Sequence, residues 1–294
     1  MTDWNGKFVE TADLRIHYVR EGKGAPVVLL HGWPEFCRVW KHNIGPLAQH
    51  FDVIAPDLRG FGQTQQKGPR REGGTPPELL AKDLRDLADA LGLKKFGIVS
   101  HDVGAFSAQT FAHLFPGRVA GLFFFNCPYP GIGQRWGEVG HAGEVWYQQF
   151  HQKDFAASLV GSSREACRIY FRHFLRHWAH DKHAFDADLE EWVDNFMANG
   201  NLQGGFDWYK GIGAYRRRLA TEGAPKLPKI KAPSQFLWGR HDPIIKYEWT
   251  DRLGDFFEDF SLVPAENSGH FVHYEQPALA NAEMTTFFQR VLVG

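Results

Sequence analysis

The stretch Ile98-Val99-Ser100-His101-Asp102-Val103-Gly104-Ala105-Phe106 decides the fold. Ile98 and Val99 close a short apolar run suited to a buried strand, and Ala105, Phe106, Ala108, Gln109 and Phe111 open a helix. Between them Asp102 occupies the apex of a strand-to-helix turn, where a side chain stands clear of the sheet at the carboxyl ends of its strands. Such an apex is strained and needs small residues two before and two after it, a requirement that Ser100 and Gly104 meet. These residues alone fit two roles for Asp102: a nucleophile, or a carboxylate that merely caps the helix.

The surrounding chain alternates strands and helices. Leu14 to Val19 and Lys7 to Thr11 suit an antiparallel edge hairpin, Pro26 to Leu30 a strand buried on both faces, Val39 to Gln49 a helix, and Phe51 to Ala55 the next strand. Leu80, Leu84, Leu87, Ala88 and Leu91 mark an amphipathic helix, Lys95 to Val99 the strand that feeds Asp102, and Val119 to Phe125 another. Alternating units of this kind predict an α/β fold, a mostly parallel sheet with helices on both faces. From Cys127-Pro128 to about Thr221 the strand pattern stops, and aromatic residues recur at helical spacing, as in Ile169, Phe171, Phe174, Leu175 and Trp178. We therefore expect a core domain over 1–127 and 229–294 and an all-helical cap over 128–228. The sheet resumes at Ser234 to Trp238, followed by a helix around Tyr247 to Phe257, a strand at Phe260 to Val263 and a last helix after Pro277.

Composition narrows the partners. The 294 residues, 43% of them apolar, can bury a large core. Lys and Arg number 33 against 34 Asp and Glu, and no basic run exceeds Arg216-Arg217-Arg218, so neither a nucleic acid nor an acidic membrane surface is expected. No apolar run approaches ~18 residues and no signal-like start is seen, which disfavours membrane spanning and export. Cys37, Cys127 and Cys167 lie far apart and suit reduced, buried thiols in a cytoplasmic protein, either a monomer or a small homo-oligomer. His173, His177, His180 and His183 invite a zinc reading, but Arg172, Arg176, Asp181 and Lys182 among them suit a solvated face instead, and no metal is expected.

Two later loops decide between the roles of Asp102. Asp242, in Trp238-Gly239-Arg240-His241-Asp242, and His270, in Ser268-Gly269-His270-Phe271, each follow a predicted strand on the same sheet edge. The order nucleophile, acid, histidine lets the three converge as a catalytic triad.

Taken with His31-Gly32-Trp33-Pro34 and Asp57-Leu58-Arg59-Gly60-Phe61-Gly62, these motifs make nearly the whole chain resemble the α/β-hydrolases of the epoxide hydrolase and haloalkane dehalogenase branch. A carboxylate nucleophile attacking a saturated carbon leaves an ester that water can cleave, whereas a serine would leave an ether. The substrate is then an epoxide or an alkyl halide. The cap segments around Trp146-Tyr147-Gln148 and Asp207-Trp208-Tyr209 resemble the places where epoxide hydrolases, including bacterial soluble ones acting on small epoxides such as epichlorohydrin, carry their ring-opening tyrosines. The resemblance implies that role for Tyr147 and Tyr209, an oxyanion hole from the backbone N–H groups of Trp33 and Val103, a structural role for His31, and no cofactor. His151, Trp208 and Phe271 are candidate pocket residues. Haloalkane dehalogenases place a halide-binding Trp directly after the nucleophile, where this chain has Val103. Fluoroacetate dehalogenases place arginines at the positions of Val103 and Phe106. The expectation is an epoxide hydrolase, detoxifying or catabolic, that acts on a small neutral epoxide and water. A haloalkane dehalogenase is the alternative, and a non-catalytic ligand receptor of the same fold a more distant one.

Overall fold

Strand β6 (Phe96–His101) lies at the middle of a nine-stranded sheet and carries Asp102 at its end. The computed structural model describes residues 6–198 and 200–293. The sheet order is β1-β2-β4-β3-β6-β7-β8-β9, with β1 at Lys7–Glu10, β2 at Leu14–Gly22, β3 at Pro26–Leu30 and β4 at Asp52–Pro56. A two-residue strand β5 (Gln65–Gln66) pairs with β2, and β7 (Val119–Phe125), β8 (Ser234–Gly239) and β9 (Phe260–Ala265) complete the sheet. Strands β4, β3, β6, β7, β8 and β9 pair in parallel, while β1 and β2 form the expected antiparallel hairpin. Because Val27 to Leu30 and Phe96 to Val99 are buried on both faces, these strands read as continuous apolar runs.

The helices of the sheet layer are α1 (Ile44–Ala48), α2 (Pro77–Ala90) and α3 (Val103–Leu114), which follows Asp102 directly. Between β7 and β8 lie α4 (Ala142–Phe150), α5 (Ala156–Val160), α6 (Arg164–Trp178), α7 (Leu189–Met197) and α8 (Asn201–Glu222). After β9 come α9 (Val272–Glu275) and α10 (Pro277–Phe288). Helix α6 shows how the cap is held. Ser163 caps it by accepting from the Ala166 N–H at 3.0 Å, and Phe171, Phe174, Leu175 and Trp178 turn inward. Each such buried side chain is worth about 1.5–3 kcal/mol.

Three local expectations need correction. The helix expected over Val39 to Gln49 is a 3-10 turn at Cys37–His42 followed by the short α1. Pro46 lies inside α1 and has no N–H to donate, so a continuous helix would lose a backbone bond there. The segment Tyr247–Asp255 is 3-10 rather than α-helical. Finally, β6 runs on to His101, two residues past the expected end, which places Asp102 immediately after the strand.

Candidate active site

All of the site's polar loops leave carboxyl ends of parallel strands: Trp33 follows β3, Asp102 follows β6, Asn126 follows β7, Asp242 follows β8 and His270 follows β9. Asp102 has φ 45° and ψ −110°, a strained conformation for a residue with a side chain. The crossing of strand and helix is tight enough that a Cβ on Gly104 would lie 2.4 Å from the Leu30 carbonyl oxygen, and one on Gly32 would lie 2.6 Å from the Asp102 Cβ. Only glycine fits at either position. Asp102 makes no side-chain capping bond to α3, so capping does not account for it. Its Oδ1 instead accepts from the Trp33 N–H at 3.0 Å. Val103 supplies the first N–H of α3, one of the N-terminal groups with no acceptor within the helix, and the helix dipole there favours negative charge.

His270 and Asp242 form the second unit. Asp242 Oδ2 lies 2.8 Å from His270 Nδ1, and Asp242 Oδ1 accepts from the N–H groups of Ile244 at 2.8 Å and Ile245 at 3.0 Å. Asn126 donates to Asp242 Oδ2 at 2.6 Å and accepts from the Gly239 N–H at 3.2 Å, held at the positive φ of 38°. These contacts fix the acid, which orients the imidazole. His270 Nε2 is buried without a hydrogen-bond partner among the described residues. Burial alone would lower the His270 pKa, but the Asp242 carboxylate overcomes it, and Asp102 and Glu35 add to the effect, pushing it up to about 9. Despite its own burial Asp242 is held below the usual carboxylate range, chiefly by His270.

Behind this unit lies a buried cluster that sequence reasoning missed. His101 Nε2 donates to the His270 carbonyl at 3.0 Å, and His101 Nδ1 lies 2.9 Å from Glu35 Oε2, which also accepts from the Gly32 N–H at 2.5 Å. Glu35 Oε1 is 3.2 Å from His273 Nε2. The geometry of this contact falls short of a hydrogen bond. Burial would raise the Glu35 pKa, yet His101 and His273 hold it well below the usual range. His273 is pushed down to about 4, first by burial. Glu35 thus ties the Gly32-Trp33 turn to the histidine loop. His31 is structural, with Nδ1–H donating to the Gly32 carbonyl at 2.9 Å and Nε2 accepting from the Leu58 N–H at 3.0 Å.

The cap closes over the site with aromatic rings. Trp33 stacks on Tyr147 at 5.3 Å and meets Tyr209 edge-on at 5.7 Å, and the two tyrosine rings are 5.5 Å apart. Trp33 therefore touches the Asp102 carboxylate through its N–H and both phenol rings through its indole. Tyr147 and Tyr209 are 2% and 3% exposed, so the centre is enclosed. Burial raises both phenol pKa values well above the ordinary range; Asp102 acts in the same direction, and the positive charge of Arg216 acts against it. Both phenols are O–H donors at neutral pH. Gln148 donates to the Tyr147 oxygen at 3.3 Å.

The remaining candidates lie around this pair. His151 stacks on Phe206 at 3.9 Å and contacts the Tyr209 ring at 4.5 Å, and its Nε2 is 2.6 Å from the Tyr170 hydroxyl. Burial drives its pKa well below the usual value, so it is neutral. Trp208 packs on Phe106 at 5.5 Å, and Phe271 lies behind His270 at 5.1 Å. Trp178, not among the expected pocket residues, spans the two halves, its ring contacting Tyr147 at 5.2 Å and His270 at 5.1 Å. Its carbonyl accepts from the His270 N–H at 2.8 Å, a backbone bond that ties the end of α6 to the histidine loop. Glu275 strengthens the same junction by accepting from the N–H groups of Gly269 at 3.0 Å and His180 at 2.6 Å.

The bond between Trp33 and Pro34 is cis. Among the described residues two trios, His17 with Cys37 and Asp57 and Glu35 with His101 and His273, bring potential ligand atoms within 4.8 Å of one another. Hydrogen bonds already engage the carboxylates of both, Asp57 accepting from the Cys37 N–H at 2.8 Å and the Gln63 N–H at 2.9 Å. Of the histidines of the zinc reading, His177 Nε2 is 2.7 Å from Glu144 and His183 Nδ1 is 2.8 Å from Asp186.

Comparison with known proteins agrees with this geometry. The alpha/beta hydrolase fold family model matches residues 25–277. A soluble epoxide hydrolase of Corynebacterium sp. (strain C12) is 30% identical over 283 residues, covering 93% of each chain. Epoxide hydrolase A of Mycobacterium tuberculosis is 26% identical and covers 96% of each. Among solved structures, the epoxide hydrolase CorEH without ligand superposes with a TM-score of 0.84 at 28% identity, over 98% of this chain and 99% of that one. The chain belongs to the alpha/beta hydrolase fold family, in its epoxide hydrolase branch.

Proposed function

We propose that this protein hydrolyses an epoxide to a vicinal diol through an ester formed on Asp102. The observation that carries the reading is Trp33, which holds the apex carboxylate with its N–H and packs its indole against two buried, protonated phenols. A nucleophile for saturated carbon and acids for the departing oxygen therefore share one enclosed site.

In the first step a phenol O–H of Tyr147 or Tyr209 gives its proton to the epoxide oxygen while an Asp102 oxygen attacks a ring carbon. The ring C–O bond breaks, and a hydroxyalkyl ester forms. In the second step His270 takes a proton from water as the water attacks the ester carbonyl. The N–H groups of Trp33 and Val103 face the oxyanion, and its collapse expels the diol and restores the carboxylate. The proton taken from water replaces the one the phenol gave up, so the sum is epoxide plus water to diol. Ester formation also prepares the base. It removes the negative charge of Asp102, one of the charges that raise the His270 pKa, and so makes the neutral imidazole easier to reach when it is needed.

Water and an epoxide are the partners this chemistry asks for. The free, buried thiols Cys37, Cys127 and Cys167 suit a reducing cytoplasm. No helix among the described residues is long and apolar enough to cross a membrane. Trp33 Nε1 is a buried N–H without a partner among the described residues, a feature that a halide cradle would also use, so the test pairs two substrate panels. Diol formation from terminal epoxides with no halide release from haloalkanes is the expected result. Halide release without diol formation would replace this reading with dehalogenation.

A further inference from the structure

We propose that Arg216 is the specificity-determining residue of this site and selects epoxides that carry a carboxylate, an inference that rests on the epoxide hydrolase reading. Arg216 lies seven residues after Tyr209 on α8, on the same face of the helix. Both line a cleft of about 180 Å³ between α4 and α8, together with Trp136, Gln148, Gln152 and Gly213. Gln148 is the residue that hydrogen-bonds the Tyr147 phenol and Tyr209 itself lines the cleft, so the cleft adjoins the ring-opening pair.

Two features of the cleft point to an anion. Its lining holds two arginines, Arg216 and Arg217, and no carboxylate. A concave surface of one sign concentrates ligands of the other. The Arg216 guanidinium, moreover, has donors to spare. Its carbon lies 4.6 Å from the Trp136 ring centroid and 5.7 Å from that of Phe106, contacts that engage it through the aromatic rings. Its Nε and Nη1 are buried with no hydrogen-bond partner among the described residues. A buried, permanently charged donor without an acceptor is costly, and a carboxylate is the planar acceptor that matches it.

The placement also answers the expectation of a neutral substrate. That expectation rests on the near-balanced charge of the chain and on Val103 and Phe106 standing where arginines would hold a carboxylate. Here the positive charge arrives from the cap, over the Phe106 ring. That charge opposes the rise that burial gives both phenol pKa values. A carboxylate on the oxirane carbon could then engage Arg216 while the ring oxygen meets Tyr147 and Tyr209. The cleft has ample room for a group of this size.

The test compares kcat/KM for oxirane-2-carboxylate with that for 1,2-epoxypropane in the wild type, Arg216→Met and Arg216→Lys, with thermal unfolding as a check on folding. The ratio of carboxylate to neutral epoxide should fall about 10- to 100-fold in Arg216→Met and by less in Arg216→Lys, which keeps the charge but not the planar fork. If the Met variant does not fold, Arg216→Gln carries the same test. Inhibition of epoxypropane turnover by glycerate, the diol product, should weaken in parallel. An unchanged ratio in the variant, or a wild type that hydrolyses epoxypropane but not the carboxylate, overturns the role of Arg216 alone. A wild type that hydrolyses neither these epoxides nor any of the terminal epoxide panel overturns the epoxide hydrolase reading itself.

Discussion

The two halves of the site are held by different physics. On the sheet edge, Asp102, Asp242 and His270 are fixed by short polar contacts, with Asp242 alone accepting from Ile244, Ile245 and Asn126. In the cap, Tyr147 and Tyr209 are held by ring packing on Trp33, Trp178 and each other. Directed bonds fix angles, which nucleophilic attack and proton transfer require. Ring packing fixes the position of the phenols, with a single side-chain bond from Gln148 to the Tyr147 oxygen beside it. The polar half suits the covalent and hydrolytic chemistry, and the aromatic half suits ring opening.

The largest expected effects separate these halves. Asp102→Ala should lower kcat by about 10⁴-fold or more, with no ester formed. His270→Gln should block turnover to a similar degree but leave ring opening intact, so that intact-protein mass spectrometry finds the enzyme heavier by one substrate. Tyr147→Phe combined with Tyr209→Phe should lower kcat by roughly 10²- to 10⁴-fold, and without accumulated ester. Ester building up in that double variant would mean that the phenols do not open the ring.

A smaller effect probes the support behind the polar half. Glu35→Gln disturbs the hydrogen bonds that Glu35 makes with His101 and the Gly32 N–H and should cost about 1–3 kcal/mol in urea unfolding. It also removes one of the charges that raise the His270 pKa, so the pH profile of ester hydrolysis should move to lower pH. Because the Glu35 pKa is lowered on folding, its contribution to stability is full above its unfolded value near 4.5 and is lost as pH falls toward its folded one. The difference in stability between wild type and variant should therefore narrow in acid. The smallest effect belongs to the cap: Ser163→Ala removes the cap of α6 and should cost about 1 kcal/mol in the same assay.

The same contrast explains how much could be read from the sequence. Asp102, Asp242 and His270 were legible because each sits in a local signature, an apolar run that ends in a turn. The meeting of Tyr147 and Tyr209 at the site was legible only through resemblance, since an aromatic residue in a helix has the same local pattern whether it packs or reacts. Glu35, His101 and His273 were not legible as a cluster. Parallel pairing of β3 with β6 brings Glu35 and His101 together across 66 positions, and α9 adds His273. Asn126 gave no signal either, because its role depends on a positive φ and on a partner 116 residues away. Arg216 was visible only as part of a short basic run, and its unpaired donors emerge only when α8 packs against α4 and Trp136. The split of the expected helix over Val39 to Gln49 is a local matter, and Pro46 marked it.

The central claim is that the oxygen delivered to product comes from Asp102. A single turnover of excess enzyme with an epoxide in ¹⁸O-labelled water tests it most directly, with the peptide that contains Asp102 and the diol both analysed by mass spectrometry. Water that attacks the ester carbonyl leaves its oxygen on the enzyme, so the label should appear in the Asp102 carboxylate and be absent from the diol. Label in the diol, with an unlabelled Asp102 peptide, would mean that water attacks the epoxide carbon directly and would contradict the account.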